Sequence, residues 1–283
     1  MNFVQQYINY FAKRPLLNAI LVLIYYLLVV LPHENIGAWI AKTLDQPLGR
    51  DTYNLIIMGM GVTGFIVYLY LIWRGTKSKA HSTSTWLYLA LTLGLIIYCI
   101  NVLMVVNVEM IHFVQYAIFA FLIFPLTQNY QLTLFYATIF GAIDEAYQYL
   151  VLAPETSNYY DFNDVFIDMT GATLGLILIR AYGIRDGETT QPFYKRPVFI
   201  GLVSLIMLTV LSFLLGWTSL YAHPTTDVFF PLLKYKMKPD FWSTSLRTDK
   251  FNVVHSFKFH VIRPWEWILL TIGLWTAYRN IGK

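Results

Sequence analysis

The chain has 283 residues, of which 57% are hydrophobic and 13% are charged, and its formal net charge is +4. Soluble domains carry about 25% charged residues, so this composition excludes an ordinary soluble protein. The basic pI of 8.9 does not indicate a nucleic-acid partner, because Lys and Arg lie between apolar runs and act as orientation signals. The composition predicts an all-α, polytopic helix bundle whose surroundings are the lipid bilayer.

Eight apolar runs predict the spans of this bundle, since a crossing helix needs about 20 mostly apolar residues. The predicted spans are 16–32, 53–73, 86–106, 110–126, 131–152, 161–182, 197–217 and 264–280. Carboxylates interrupt the fifth and sixth runs, so hydropathy supports those two less strongly. Residues 1–13 are short and amphipathic, which predicts a segment lying on the inner membrane surface.

The distribution of basic residues predicts that both termini are cytoplasmic. With the N-terminus inside, the inside segments contain eleven Lys and Arg residues, whereas the short outside segments contain only Lys42 and Arg50. The long segment 218–263 then lies outside, either as a folded cap or as a lid that contacts substrate. The predicted organisation is 1–85 with two spans, 86–182 as a four-helix core, and 183–283 with two spans flanking the cap.

Polar side chains enter three predicted spans at one membrane depth. The fourth span opens with Glu109, His112 and Tyr116, the fifth carries Asp144, Glu145 and Gln148, and the sixth opens with Asp161, Asp164 and Asp168. Spacings of three and four residues place each set on one helical face. A carboxylate at membrane depth is costly unless it is paired or hydrated, so these sets are expected to form an acidic pocket open to the extracytoplasmic side.

Carboxylates this close together need protonation or a neutralising cation. A divalent cation held by Asp144, Asp164 and Asp168 is one interpretation, because carboxylate oxygens suit hard ions. Acid–base pairing with His112 is another. A structural polar network that locks the bundle is the third. The sequence contains no phosphate-binding loop, so soluble cofactors are not expected.

Other polar and small residues receive simpler interpretations. Gly171 and Gly175 are expected to permit close helix packing. The same expectation applies to Gly59, Gly61 and Gly64 on the second span. Glu266 is expected to reach water near the interface, and the remaining histidines are expected at the surface: His33, His81, His223, His255 and His260.

At the acidic positions the chain resembles the VanZ-like family of bacterial membrane proteins, which is named for a teicoplanin-resistance protein. The motifs are Glu109-x-x-His112-Phe113-x-x-Tyr116, Asp144-Glu145-x-x-Gln148 and Asp164-x-x-x-Asp168-x-x-Gly171-x-x-x-Gly175. The resemblance covers about 86–182 and leaves the first two and last two spans outside. Asp168 stands where the family usually has Asn, and the arginine expected after Pro154 is missing.

The resemblance implies a cell-envelope protein of the bacterial cytoplasmic (inner) membrane with a link to antibiotic resistance, and it supplies no reaction. Whether the chain is an enzyme stays open. In the first hypothesis it acts at the outer leaflet on a lipid-linked or glycan-like ligand, and its residues divide into three roles. The catalytic set is Asp144, Glu145, His112 and Asp164, the ligand-binding set is Glu109, Tyr116, Gln148 and Asp161, and the cation set is Asp144, Asp164 and Asp168.

Two further hypotheses come from other functional classes. A proton-coupled transporter requires a polar path that continues inward, and inner-half polar groups on the fifth span are few. A non-catalytic scaffold would bind a glycopeptide, a lipid or a partner protein without a reaction.

Overall fold

A computed structural model describes most of the chain, and the fold below refers to that part. The described residues are 2–32, 35–37, 39, 42–43, 49–77, 82–104, 107–152, 159–186, 192–195, 197–220, 228–232, 242–243 and 259–283. Four predicted surface histidines, His33, His81, His223 and His255, lie outside them.

The first four helices form the N-terminal part. Helix α1 spans Phe3–Ala12, α2 spans Pro15–Tyr25, α3 spans Arg50–Thr76 and α4 spans Ser82–Tyr98. The chain bends by 110° between α1 and α2. Two of these helices end in a π-helical turn, α2 at Tyr26–Val30 and α4 at Cys99–Leu103.

The remaining helices form the core and the C-terminal part. A 3₁₀ turn at Asn107–Met110 leads into α5, which spans Ile111–Thr127. Helix α6 spans Tyr130–Tyr147 and ends in a π turn at Gln148–Leu152, and α7 spans Phe162–Ala181. A second 3₁₀ turn at Phe193–Lys195 precedes α8, which spans Pro197–Leu214, and α9 spans Pro264–Tyr278.

Local signals in the sequence explain where several helices begin. Proline occupies the first position of α2, α8 and α9, where its missing N–H costs no helical hydrogen bond. The Asn129 side chain caps α6 by accepting a hydrogen bond from Leu132 N at 2.8 Å. The Asp161 carboxylate caps α7 by accepting one from Asn163 N at 2.8 Å.

Four two-residue strands occur in the described part of the predicted cap. Strand β1 (Thr218–Ser219) pairs in parallel with β2 (Phe230–Pro231), and β3 (Trp242–Ser243) pairs antiparallel with β4 (Phe259–His260). Strand β4 belongs to the partly alternating run 253–261, whose first part, 253–258, lies outside the described residues.

The all-α, membrane-type architecture is confirmed, but the count of eight spans is not. Each predicted span coincides with a helix to within a few residues. Among the described residues, four helices are long and apolar enough to cross a membrane: Asp51–Thr76, Ser82–Leu103, Val108–Thr127 and Phe162–Ala181. The bent pair of α1 and α2 would raise that number to five.

Helix α7 lies at the centre of the bundle, whereas α3 lies at its edge. In the most apolar 18 residues of each helix, 78% are buried for α7 and 6% for α3. The glycines divide in the same way. A Cβ at Gly59 or Gly64 of α3 would meet no described atom within 4 Å, so the packing expectation is wrong there.

Candidate functional site

Glycines let α5 and α7 approach closely enough to join the first and third motifs. A Cβ at Gly171 would lie 2.8 Å from Phe113 Cα and 3.0 Å from the His112 carbonyl oxygen. A Cβ at Gly175 would overlap the carbonyl oxygen of Ala117. Because only glycine fits at these two crossings, α5 presents His112 directly to the carboxylates of α7.

His112 lies between two carboxylates of α7. Its Nδ1 atom is 2.8 Å from Asp168 Oδ1, and its Nε2 atom is 3.8 Å from Asp164 Oδ2. The side chain of Asp168 is fully buried and that of His112 is 3% exposed, whereas Asp164 is 17% exposed. Asp164 is therefore the most accessible of these three side chains, and Asp168 hydrogen-bonds the imidazole on its buried side.

Helix α6 adds the second motif to the same cluster. Asp144 and Glu145 are buried, and Asp144 lies within electrostatic reach of Asp168 and His112. Gln148, in the π turn that follows, donates a hydrogen bond from Nε2 to Glu145 Oε1 at 2.9 Å. The predicted convergence of three spans is thus present among the described side chains.

The first turn of α7 and the start of α5 supply the outer residues. Asp161, which caps α7, lies within electrostatic reach of Asp164. The buried Tyr116 lies within electrostatic reach of Asp168 and Asp144. Glu109 is half-buried in the 3₁₀ turn before α5. All nine predicted site residues therefore belong to one end of the bundle, which is called the acidic end below.

Three π-helical turns surround the cluster. Tyr26, Cys99 and Gln148 begin these turns on α2, α4 and α6. Tyr26 lies within electrostatic reach of Asp144, Asp168 and Glu145, and Cys99 within reach of Asp164. Such turns are rare and are frequent at functional sites, so their recurrence at one level is independent support for a site at the acidic end.

Sequence reasoning missed several residues that build this end. A Cβ at Gly141 would lie 2.8 Å from Asp168 Oδ2, so glycine there lets α6 pack against the carboxylate. Tyr160 donates from its hydroxyl to the Ala142 carbonyl oxygen at 2.7 Å. The position of Gly141, one turn before Asp144, was the available signal, whereas nothing local distinguished Tyr160.

Asn163 attaches the cap to the site, and the expectation that His260 lies at the surface was wrong. The Asn163 side chain donates to the carbonyl oxygens of Leu103 and His260 at 3.1 and 2.7 Å, and accepts from Ile262 N at 2.8 Å. His260 is buried, and its Nε2 atom is 2.8 Å from Glu266 Oε2. Glu266 therefore pairs with a buried histidine of the cap and is not turned to water alone.

No set of three or more His, Cys, Asp or Glu side chains among the described residues has an arrangement that could hold a metal ion. The divalent cation expected at Asp144, Asp164 and Asp168 stays a prediction.

The His112 arrangement is suited to proton transfer. When Asp168 is ionised, Nδ1 carries the imidazole proton and donates a hydrogen bond to the carboxylate. This hydrogen bond fixes the tautomer and directs the basic Nε2 atom toward Asp164. The Nε2–Oδ2 separation exceeds a hydrogen bond and both atoms are acceptors, so a ligand with two adjacent O–H or N–H donors can bond to both. The cluster can therefore accept hydrogen bonds from a ligand and exchange a proton with it.

Comparison with known proteins identifies the family. Residues 18–183 match the model of the VanZ/LLP1 family. The chain matches no curated protein and no solved structure. The match includes all three motifs. It begins at residue 18, so the family region includes the first two spans, which were expected to lie outside it. Because it covers more than half of the sequence, the chain belongs to the VanZ/LLP1 family.

Proposed function

We propose that the chain is a multi-pass protein of the bacterial cytoplasmic membrane with about eight spans and both termini in the cytoplasm. The helices at all eight apolar runs and the eleven basic residues of the inside segments support this topology. In this orientation α5 and α7 begin at the outer leaflet. The acidic end then faces the cell envelope.

The acidic end binds a lipid-linked or glycan-like ligand of the envelope. The observation that carries this proposal is the position of His112 between the buried Asp168 and the accessible Asp164. Ionised carboxylates only accept hydrogen bonds, so the matching ligand is rich in donors, as sugar hydroxyls and ammonium groups are.

The residues divide into three roles in this proposal. Asp168 orients His112, and Asp164 contacts the ligand. Asp144 polarises the ligand, and Glu145 with Gln148 orients it. If a reaction occurs, His112 exchanges the proton, whereas a purely binding protein uses the same contacts without that exchange. Glu109, Tyr116 and Asp161 complete the ligand-binding set.

A susceptibility assay tests the proposal. The wild-type chain is expressed in a teicoplanin-sensitive Gram-positive host, and the inhibitory concentration of teicoplanin is measured. We expect the wild type to raise it and Asp164→Asn to abolish the increase, because the accessible carboxylate loses its charge. Asp51→Asn serves as the matched control, since Asp51 is exposed at the start of α3. Membrane levels of each variant are measured by immunoblotting.

Full protection by Asp164→Asn at wild-type membrane level would refute a role for the acidic end in this phenotype. If the wild type gives no protection, the link to antibiotic resistance fails. Equal loss in Asp164→Asn and Asp51→Asn would indicate a general defect and contradict the assignment of Asp164.

A proton-coupled transporter is the second candidate, and one observation favours it. Thr92, Thr173 and Tyr278 form a buried hydroxyl cluster from α4, α7 and α9, with Thr92 and Thr173 hydroxyl oxygens 3.1 Å apart. This cluster extends the row of polar side chains on α7 away from the acidic end. A transporter requires such an inward polar path, and the fifth span by itself contributes few polar groups to it. Proteoliposomes with an internal pH dye test it. Proton uptake in the wild type that Thr173→Val removes would favour transport, and no uptake would exclude it.

A further inference from the structure

An apolar groove opens between α8 and α9 on the membrane-facing side. Its walls include Leu205, Ile206 and Thr209 of α8 and Trp267 and Ile268 of α9. Large apolar side chains that are more than 60% exposed flank it, Met207 on α8 and Leu269 on α9. In a bilayer, lipid chains therefore reach the groove from the side.

A second apolar cavity lies between the cap and the first turn of α7. Its walls include Tyr160, Phe162, Leu232, Val261 and Pro264. Backbone hydrogen bonds hold these walls together: Tyr160 N donates to the Leu232 carbonyl oxygen at 2.9 Å. The cavity thus lies under the described part of the cap and directly before the carboxylates of α7.

Aromatic rings join the groove, the cavity and the acidic end into one series. The Trp267 ring lies 5.5 Å from the Phe162 ring, which lies 4.8 Å from the Tyr160 ring. Tyr160 itself lies within electrostatic reach of Glu145 and Asp168. An apolar molecule in the groove would therefore meet the carboxylates after passing two adjacent rings.

Trp267 places a polar N–H group beside the otherwise apolar groove. Its side chain is 9% exposed, and its Nε1–H group makes no hydrogen bond to any residue that the structure describes. A buried donor without an acceptor is costly, so an acceptor on a bound molecule accounts for its presence. The oxygen that joins the head of a lipid to its tail is such an acceptor.

We propose that the groove between α8 and α9 binds the hydrocarbon tail of a lipid whose sugar or amine head lies at the acidic end. This inference rests on the proposed function and adds the ligand class, an amphiphile with a long tail. The tail lies along Leu205 and Ile206. The junction oxygen accepts from Trp267 Nε1, and the head reaches Asp164 past Phe162 and Tyr160.

Photo-cross-linking tests the tail site. The full-length protein is placed in phosphatidylcholine nanodiscs with a long-chain alkyl glucoside whose tail ends in a diazirine, and labelled peptides are mapped by mass spectrometry. We expect labelling of the α8 and α9 groove walls to fall about tenfold in Leu205→Trp, which fills the groove. Leu208→Trp, an equal change at an exposed position of the same helix, should keep it.

Two further variants separate the possible results. Trp267→Phe keeps an aromatic ring and removes the N–H donor. It should weaken labelling while the thermal unfolding temperature stays near that of the wild type. Equal groove labelling in Leu205→Trp and Leu208→Trp, or none in the wild type, would overturn the tail site. If Leu205→Trp loses labelling and Asp164→Asn retains it in full, the tail site stands and the acidic head site fails. The reverse pattern would remove the tail site alone.

Discussion

The two ends of α7 carry polar clusters that differ in their balance of donors and acceptors. At the opposite end, the buried Arg180 donates from Nη1 to the carbonyl oxygens of Ile281 and Lys283 and from Nη2 to Ser84 Oγ, the last at 2.7 Å. One cation there meets several oxygen acceptors. At the acidic end, carboxylates of α6 and α7 surround His112 of α5.

This difference separates a structural cluster from a candidate functional one. Hydrogen bonds between donors and acceptors of different segments stabilise the bundle. Arg180 attaches the C-terminal segment to α7 through such bonds. An excess of carboxylates is costly at membrane depth and contributes little to folding by itself. The comparison predicts that stability depends most on the opposite end and ligand binding on the acidic end.

The largest loss of stability is expected at Arg180. Arg180→Met removes three hydrogen bonds made by a charged group and leaves the buried Ile281 carbonyl oxygen without its side-chain donor, which should lower the free energy of unfolding by about 4 kcal/mol. Titration with SDS, followed by circular dichroism, measures it. Arg180→Lys should recover part of the loss. A Met variant as stable as the wild type would contradict the structural role of this end.

A smaller loss is expected where α5 and α7 cross. Gly175→Ala places a methyl group on the Ala117 carbonyl oxygen, so the helices must separate, at a cost of about 3 kcal/mol. Gly59→Ala is the matched control, because nothing described lies near its new Cβ. The same unfolding titration compares them, and equal stability of the two variants would show that the close crossing is not required.

The attachment of the cap should contribute still less to the free energy of unfolding. Asn163→Ala removes three hydrogen bonds between α7, α4 and the cap and should cost about 2 kcal/mol. Asn101→Ala, which removes one exposed hydrogen bond within α4, is the control. Hydrogen exchange should also speed up at 259–263. Unchanged exchange there would argue against Asn163 as the point of attachment.

The smallest change in stability is expected at Asp164, where the proposed effect on function is largest. Asp164→Asn reduces repulsion among the carboxylates and should leave the free energy of unfolding within about 1 kcal/mol of the wild type. Loss of teicoplanin protection without loss of stability would sharpen the comparison. A fall as large as that of Arg180→Met would show that the acidic end is structural instead.

Sequence periodicity located the helices and the polar faces, yet it left several contacts undetermined. The spacing of Asp161, Asp164 and Asp168 placed them on one face, and Gly171 and Gly175 indicated close packing. The pairing of His112 Nδ1 with Asp168, and not with Asp164, depends on the rotation of α5 against α7, which spacing does not specify. His260 illustrates the same limit, because its burial depends on how the cap folds onto α7.

By itself, the sequence determined the membrane character, the helix positions and the residues of the three motifs, because apolar length and helical period are local properties. The tertiary structure alone decided that α7 is central, that Asp164 is accessible while Asp168 is buried, and that Asn163 fastens the cap. It also decided that Trp267 meets Phe162 beside the acidic end. These features depend on how helices distant in sequence pack against one another, and a one-dimensional pattern does not contain that information.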